Sequence, residues 1–167
     1  MAGPLDAGSS VVITMTATDA RAALASVADP EIPALTVEDL GIVRDVSVDG
    51  DSVTVTITPT YSGCPAMDVI KEDITAALEA AGFHEVELVT VYSPAWTTDW
   101  MSEDGKRKLE AFGIAPPHPT GLAERPPVLC PRCRQGARVV SEFGSTACKA
   151  LMVCTSCGEP FDYFKEL

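Results

Sequence analysis

Two cysteine pairs near the end of the chain leave that region the fewest ways to fold. Cys130-Pro131-Arg132-Cys133 and Cys154-Thr155-Ser156-Cys157 each repeat the C-x2-C spacing, with 20 residues between Cys133 and Cys154. A C-x2-C segment can close into a tight knuckle whose backbone N–H groups point at sulfur. Two knuckles complete a tetrahedral S4 site, a geometry that suits zinc better than iron or a cluster. A segment of about forty residues cannot bury enough apolar surface to fold well alone, so a metal would supply folding free energy there. Val139, Val140, Leu151, Val153, Phe161 and Tyr163 fall in short strand-like pieces around the knuckles, which argues against a disordered tail carrying four loose thiols. Residues 128–167 therefore read as an all-β zinc ribbon held by Cys130, Cys133, Cys154 and Cys157. Cys148 is a further cysteine with no place in an S4 site. It reads either as a packing residue or as an extra thiol that meets a partner or relays metal, and Lys149 beside it would lower its pKa if both face one way.

A second stretch organises the rest of the chain. Val53, Val55 and Ile57 alternate with Thr54, Thr56 and Thr58, a period of two that predicts a strand. Pro59 ends it, having no N–H to give to a ladder. Pro65 suits the first position of a helix, and Met67, Ile70, Ile74, Leu78 and Ala81 then recur at helical spacing, with Gly82 as the stop. Cys64 is thereby expected at or next to the helix N-cap. Free N–H groups and the positive end of the dipole favour an anion there, and a thiol so placed tends to ionise into a nucleophile or metal ligand. The competing reading is a small buried apolar residue at a helix start.

Around this stretch the expected order is α-β-β-α-β-α. A helix capped by Thr18 or Asp19 runs to about Val27, where Asp29-Pro30-Glu31-Ile32-Pro33 stops it. Thr36 to Asp39 is a capping-box-like turn closed by Gly41. Ile42 to Val48 and Ser52 to Thr58 form a hairpin about Asp49-Gly50. A third strand ends near Tyr92, and a last helix or two lie between Thr97 and Phe112. The fold class is α+β: a small mixed sheet with helices over 18–113, after an N-terminal extension (1–17) with a short apolar run at Val11–Ile13. A Pro-rich linker (114–127) then leads to the ribbon. Trp96 and Trp100 read as core or as an aromatic contact surface, His84 and His118 as surface residues, and Lys106–Lys108 as a solvated helix end.

Charge narrows the partners. Residues 1–113 hold 6 Lys+Arg against 19 Asp+Glu, a balance of −13, whereas 128–167 stand at +1. An acidic body repels nucleic acid and anionic membrane surface but not a basic protein partner. No apolar run reaches spanning length, and the first residues lack a basic segment followed by an apolar one. The expectation is a cytoplasmic protein whose thiols serve metal binding or reactivity rather than disulfides.

Asp29-Pro30-Glu31-Ile32-Pro33, then Asp39-Leu40-Gly41-Ile42-Val43, then Thr58 to Pro65 resemble the metal–sulfur cluster assembly factor domain of the SufT-like group. Ser141–Lys149, with Glu159-Pro160-Phe161 and the two knuckles, is similar to its PaaD-type branch, which is associated with the multisubunit phenylacetyl-CoA epoxidase of aerobic phenylacetate degradation. The resemblance spans Ala20 to Lys165. It implies an α/β domain with a reactive loop cysteine, here Cys64, and an acidic residue near it, here Asp29. It also implies an accessory, non-catalytic role in maturing the iron centres, iron–sulfur or di-iron, of an oxygenase or of other iron-protein clients. Cys64 would then be a transient ligand for iron or a cluster, with Asp29, Thr60 and Ser62 as supporting or alternative ligands. One cysteine offers too few donors for stable holding, so weak, shared or homodimer-bridged binding is expected. A structural docking subunit of the oxygenase and an enzyme using Cys64 as nucleophile are the alternatives. The last needs a general base in reach that neither histidine supplies by its place in the sequence.

Overall fold

The structure, a computed structural model, describes residues 14–167; the apolar run Val11–Ile13 lies outside them. Helix α1 spans Ala17–Leu24. Thr16 is its N-cap: the Thr16 side chain accepts the Asp19 N–H at 3.2 Å, and the Asp19 carboxylate accepts the Thr16 N–H at 2.9 Å. This reciprocal capping box makes Asp19 the third helical residue, so the helix starts before Thr18 and ends three residues before Val27.

Strands β1 (Val43–Asp49) and β2 (Ser52–Ile57) form the expected hairpin, and β3 (Glu85–Thr90) pairs parallel to β2 after the crossover helix α2 (Met67–Ala80). The sheet order is β1-β2-β3. Val53, Val55 and Ile57 point inward, while Ser52 and Thr54 face out and donate to Glu85 and Glu87 on β3 at 2.7 and 3.2 Å. The inward face meets Met67, Ile70, Ile74 and Leu78 of α2, joined by Leu24, Leu35 and Phe83. A 3₁₀ turn at Thr98–Trp100 and helix α3 (Glu103–Ala111) complete the first half, so the α-β-β-α-β-α order holds. Among the described residues no helix is long and apolar enough to cross a membrane.

The second half is a ribbon in which β5 (Lys149–Cys154) lies between β4 (Ala137–Ser141) and β6 (Pro160–Phe164), all antiparallel. The stretch that reads as a linker begins as part of the packing. Ile114 and Ala115 are buried, the Ala115 N–H donates to Asp162 O at 2.9 Å, and the Phe164 N–H donates to Ala115 O at 2.9 Å. Along β6 the side chains alternate in destination. Phe161 and Tyr163 enter the ribbon's own core, whereas Phe164 enters the core of the first half, its ring tilted 57° to Trp96 at 6.3 Å. Trp96 is core, one of the two roles its sequence allows, and its indole N–H donates to Leu40 O at 2.9 Å. Trp100 is half-buried under the Arg44 guanidinium, 3.5 Å from its ring centre. His118 is not the free surface residue expected from sequence: its Nδ1 lies 3.3 Å from Glu166 and 3.4 Å from the Tyr163 hydroxyl. The prolines on either side of it fold it back onto β6.

Asp39 ties the 36–41 turn to α3. Its Oδ2 accepts the Thr36 N–H and hydroxyl, both at 3.0 Å, and the Lys108 ammonium at 2.7 Å, while Oδ1 accepts the Ser102 hydroxyl at 3.1 Å. Burial works to raise its pKa, but Lys108 and Thr36 outweigh it, and the carboxyl sits below its ordinary 3.8. A depressed folded-state pKa contributes stability that is complete above 3.8 and lost as pH falls through the depressed value. Asp39→Ala should destabilise the fold by about 1–3 kcal/mol, because it leaves the half-buried donors of Thr36, Ser102 and Lys108 unmatched. Urea unfolding at pH 7 and at pH 3 checks this: the wild type loses more stability on acidification than the variant.

Candidate functional site

Three places hold chemistry: the loop between β2 and α2, the ribbon knuckles, and the turn before β5. In the first, β2 ends at Ile57 and the chain turns twice before α2 begins at Met67. The Cys64 N–H donates to Tyr61 O at 3.2 Å, and the Met67 N–H donates to Cys64 O at 3.3 Å. The N-cap is Ala66, with no side-chain cap bond. Cys64 therefore stands two residues ahead of the N-cap rather than on it, and Pro65 is not the first helical residue. The extra turn through Pro65 and Ala66 is the reason, since the chain must reverse direction before the helix can start.

The electrostatics also differ from expectation. Burial pushes the Cys64 thiol up; the Ala66 N–H and the Thr60 hydroxyl favour the thiolate, but the charges of Glu31 and Asp29 oppose it, and the net shift is upward from 9.0. Cys64 is a protonated thiol at neutral pH, not an ionised one. It is half-buried and opens onto a cavity of about 310 Å³ lined by Ser62, Asp68, Lys71 and Tyr92 among others.

Asp29 is buried, and its Oδ1 accepts the N–H groups of Glu31 at 2.8 Å and Ile32 at 2.7 Å. This Asx turn is what the Asp-Pro-Glu sequence builds locally. Asp29 thus shapes the loop and reaches Cys64 through its charge, while Glu31 exerts the stronger effect on the sulfur. The Thr60 hydroxyl favours the Cys64 thiolate, and Ser62 lines the cavity. Glu31 and Tyr61 are the residues that sequence reasoning undervalued. Glu31 stands two places after Asp29, which is where an Asx turn presents a side chain. The Tyr61 phenol is raised by burial first and then by Cys64, Glu31 and Cys148.

In the ribbon, the four sulfurs of Cys130, Cys133, Cys154 and Cys157 lie within 4.8 Å of one another. The Cys130–Cys157 and Cys133–Cys154 separations are 3.9 and 3.4 Å. A tetrahedral ion with metal–sulfur bonds of about 2.3 Å needs edges of about 3.8 Å, so the donor set fits. The knuckles repeat each other: Arg134 N–H donates to Cys130 O at 2.9 Å and Gly158 N–H to Cys154 O at 3.2 Å. The residue that follows the second cysteine of each knuckle is left-handed, Arg134 at φ 62 and Gly158 at φ 75. The N–H groups of Cys157 and Ser156, each 3.4 Å from Cys154 sulfur, pull that thiol down to about 6. The Gln135 N–H favours a thiolate on Cys133, yet the Cys154 sulfur, burial and the sulfurs of Cys157 and Cys130 together outweigh it and Cys133 is pushed up to about 12.

Cys148 is buried outside this group, with its sulfur 3.0 Å from the Thr146 hydroxyl. Burial raises the thiol; the Lys149 charge opposes this without winning, because the Lys149 side chain is directed to Asp162, 3.7 Å away.

The family model described as iron-sulfur cluster assembly protein matches residues 10–91, and that of the PaaD zinc beta ribbon domain matches residues 115–165. The chain is 50% identical over 147 residues to an Escherichia coli (strain K12) protein named as a subunit of “Putative 1,2-phenylacetyl-CoA epoxidase”, covering 86% of this chain and 89% of that one. It is 42% identical over 88 residues to an Fe-S protein maturation auxiliary factor of Porphyromonas gingivalis (strain ATCC BAA-308 / W83), covering 52% of this chain and 83% of that one. Among solved structures, a domain of unknown function, DUF59, from Bacillus anthracis superposes with a TM-score of 0.52 at 31% identity, covering 56% of this chain and 90% of that one.

The two sulfur environments should respond differently to chemistry. Cys154→Ser should strip the ribbon of its metal ion, read by elemental analysis of the purified protein, with retention of wild-type metal content as the contrary result. Iodoacetamide should alkylate Cys64 slowly at pH 7 and faster as pH rises, and Glu31→Gln should speed the reaction about two- to threefold by removing a charge that opposes the thiolate. Mass spectrometry of the Cys64 peptide measures both rates.

Proposed function

We propose, since the chain belongs to the iron-sulfur cluster assembly protein family and carries a PaaD zinc β-ribbon, that it is an accessory factor maturing the iron centres of a phenylacetyl-CoA epoxidase-type multicomponent oxygenase. Iron, alone or within a cluster, is its cargo. The observation that carries the reading is the half-buried Cys64 thiol, which lines a cavity together with Asp68 and feels the charges of Glu31 and Asp29. A protonated thiol beside negative charge is a poor nucleophile but a good place for a cation, which displaces the proton on arrival. Binding through so few donors is weak, and weak binding suits a factor that must release what it holds.

The ribbon's four sulfurs have a different task in this reading. With knuckle N–H groups directed at Cys154 and a donor set that is all thiolate, they suit structural zinc, which orders a segment too small to fold alone. The zinc-ordered surface then grips the client. Val139 and Val140 on the edge strand β4 and Phe143 just after it, exposed by 48, 52 and 72%, offer an apolar strip. That strip is also what favours the second reading, a docking subunit with no metal delivery.

Client maturation separates the two. In cells or in a reconstituted system, Cys64→Ala should lower the client oxygenase's iron content and activity at least about tenfold, as loss of a metal-site group does elsewhere. A fully loaded, active client would end the delivery role and leave only the docking one.

A further inference from the structure

A cavity of about 400 Å³ opens in the second half, and neither the Cys64 loop nor the knuckles line it. Its floor is one face of the ribbon sheet. Val139 pairs across the strands with Met152, and Ala150 with Tyr163, and all four line the cavity beside Val128. Ala150, Met152 and Tyr163 are buried, whereas Val139 is half open to solvent. The opposite wall is the segment that leads into the first knuckle, and bonds fix it in place. The Ala137 N–H donates to Val128 O at 3.0 Å. The Glu166 carboxylate accepts the His118 N–H at 3.3 Å and the Tyr163 hydroxyl, and it lies 3.7 Å from the Arg125 guanidinium. The cavity is therefore pre-formed, with a volume inside the range of roughly 300–1,000 Å³ in which proteins bury ligands.

This cavity is continuous with the apolar strip on β4. Val139 belongs to both. Lys165 and Glu142 line the cavity, the Lys165 ammonium donates to Glu142 O at 2.9 Å, and it lies 5.1 Å from the centre of the Phe143 ring. Cavity and strip together make one groove, with an apolar floor and a charged rim, the form in which interfaces concentrate binding. β4 stands at the edge of its sheet, but its register is irregular between Val139 and Ser141. Such a bulge spoils edge-to-edge pairing with a second copy, so side chains rather than a backbone ladder must recognise the occupant.

Charge says what kind of segment that is. The first half is strongly acidic and draws basic segments to itself, while it turns acidic ones away; residues 128–167 lack that negative balance. On the rim, Lys165 is bonded to a backbone carbonyl rather than to a carboxylate, so its charge is open to a partner. Glu166 is engaged by Tyr163, His118 and Arg125, which leaves Glu142 as the opposing charge. We propose that this groove docks an extended segment of the client in which one large apolar side chain enters the cavity and a neighbouring carboxylate meets Lys165. The proposal rests on the accessory reading above and deepens it by naming what the ribbon grips.

The test titrates the purified client oxygenase onto the full chain with zinc in the ribbon. Val139→Asp should weaken binding at least about tenfold. Lys165→Glu should slow association at low salt by about tenfold, and Glu142→Gln should not slow it. Zinc content and the unfolding midpoint check each variant. Should Val139→Asp not fold, Phe143→Ser, at an exposed position, decides, with a loss of at least about fivefold expected. No binding by wild type, wild-type affinity in the deciding variant, or slower association in Glu142→Gln than in Lys165→Glu overturns the proposal. A wild-type dimer that Val139→Asp breaks gives the groove to a second copy and also overturns it. The delivery reading is tested apart. Groove variants that bind normally, with a client left short of iron by Cys64→Ala protein, sink the groove and spare delivery. A client fully loaded by Cys64→Ala protein ends delivery whatever the groove variants show.

Discussion

The alternation of side chains along β6 is the constraint on which the architecture turns. A strand sends successive residues to opposite faces, and β6 uses both. Phe161 and Tyr163 fill the ribbon's small core, while Phe164, one residue on, fills a gap beside Trp96 in the larger one. Through this arrangement the larger core reaches into a segment too short to make a good one of its own. The two Ala115 bonds to β6 run along the same seam, so a short backbone bridge joins the halves as well as packed rings.

Within this architecture the sulfurs sort by surroundings. In the knuckles, backbone N–H groups point at Cys154 and favour its thiolate, and the four sulfurs are already near the edges of a tetrahedron. Around Cys64 the balance reverses. One N–H and one hydroxyl favour the anion, but burial and two carboxylates oppose it more strongly. The same element, held by the same polymer, stands in one place among three other sulfurs and in the other as a single thiol beside carboxylates. The difference is made by neighbouring charge and by how many other sulfurs stand within reach.

Much of this is legible in the residues. The period-two run Val53–Thr58, the helical spacing from Met67, the Asp49-Gly50 turn and the repeated C-x2-C pairs each encode their element locally, and each element is present. What local pattern cannot carry is geometry set at a distance. Thr16 and Asp19 form the cap of α1 because the two side chains satisfy each other, a pairing that the spacing allows but Thr18 conceals. The loop after Pro59 spends an extra turn before α2, which moves Cys64 off the cap. Proline content marks 114–127 as stiff but cannot say that its first residues are a ladder partner of β6. The weight of Glu31 relative to Asp29 needs the direction of an Asx turn, and the destination of Cys148 needs the docking of the two halves.

The bonds between Ala115 and β6 have a consequence for how the molecule reports on itself. A ribbon that lets go of its ion loses the knuckles that fix β5 and β6, and with them the seat of Phe164. Trp96 would then be uncovered. Loss of the ribbon's ion would in this way loosen both cores at once, because Phe164 and the Ala115 bonds join them.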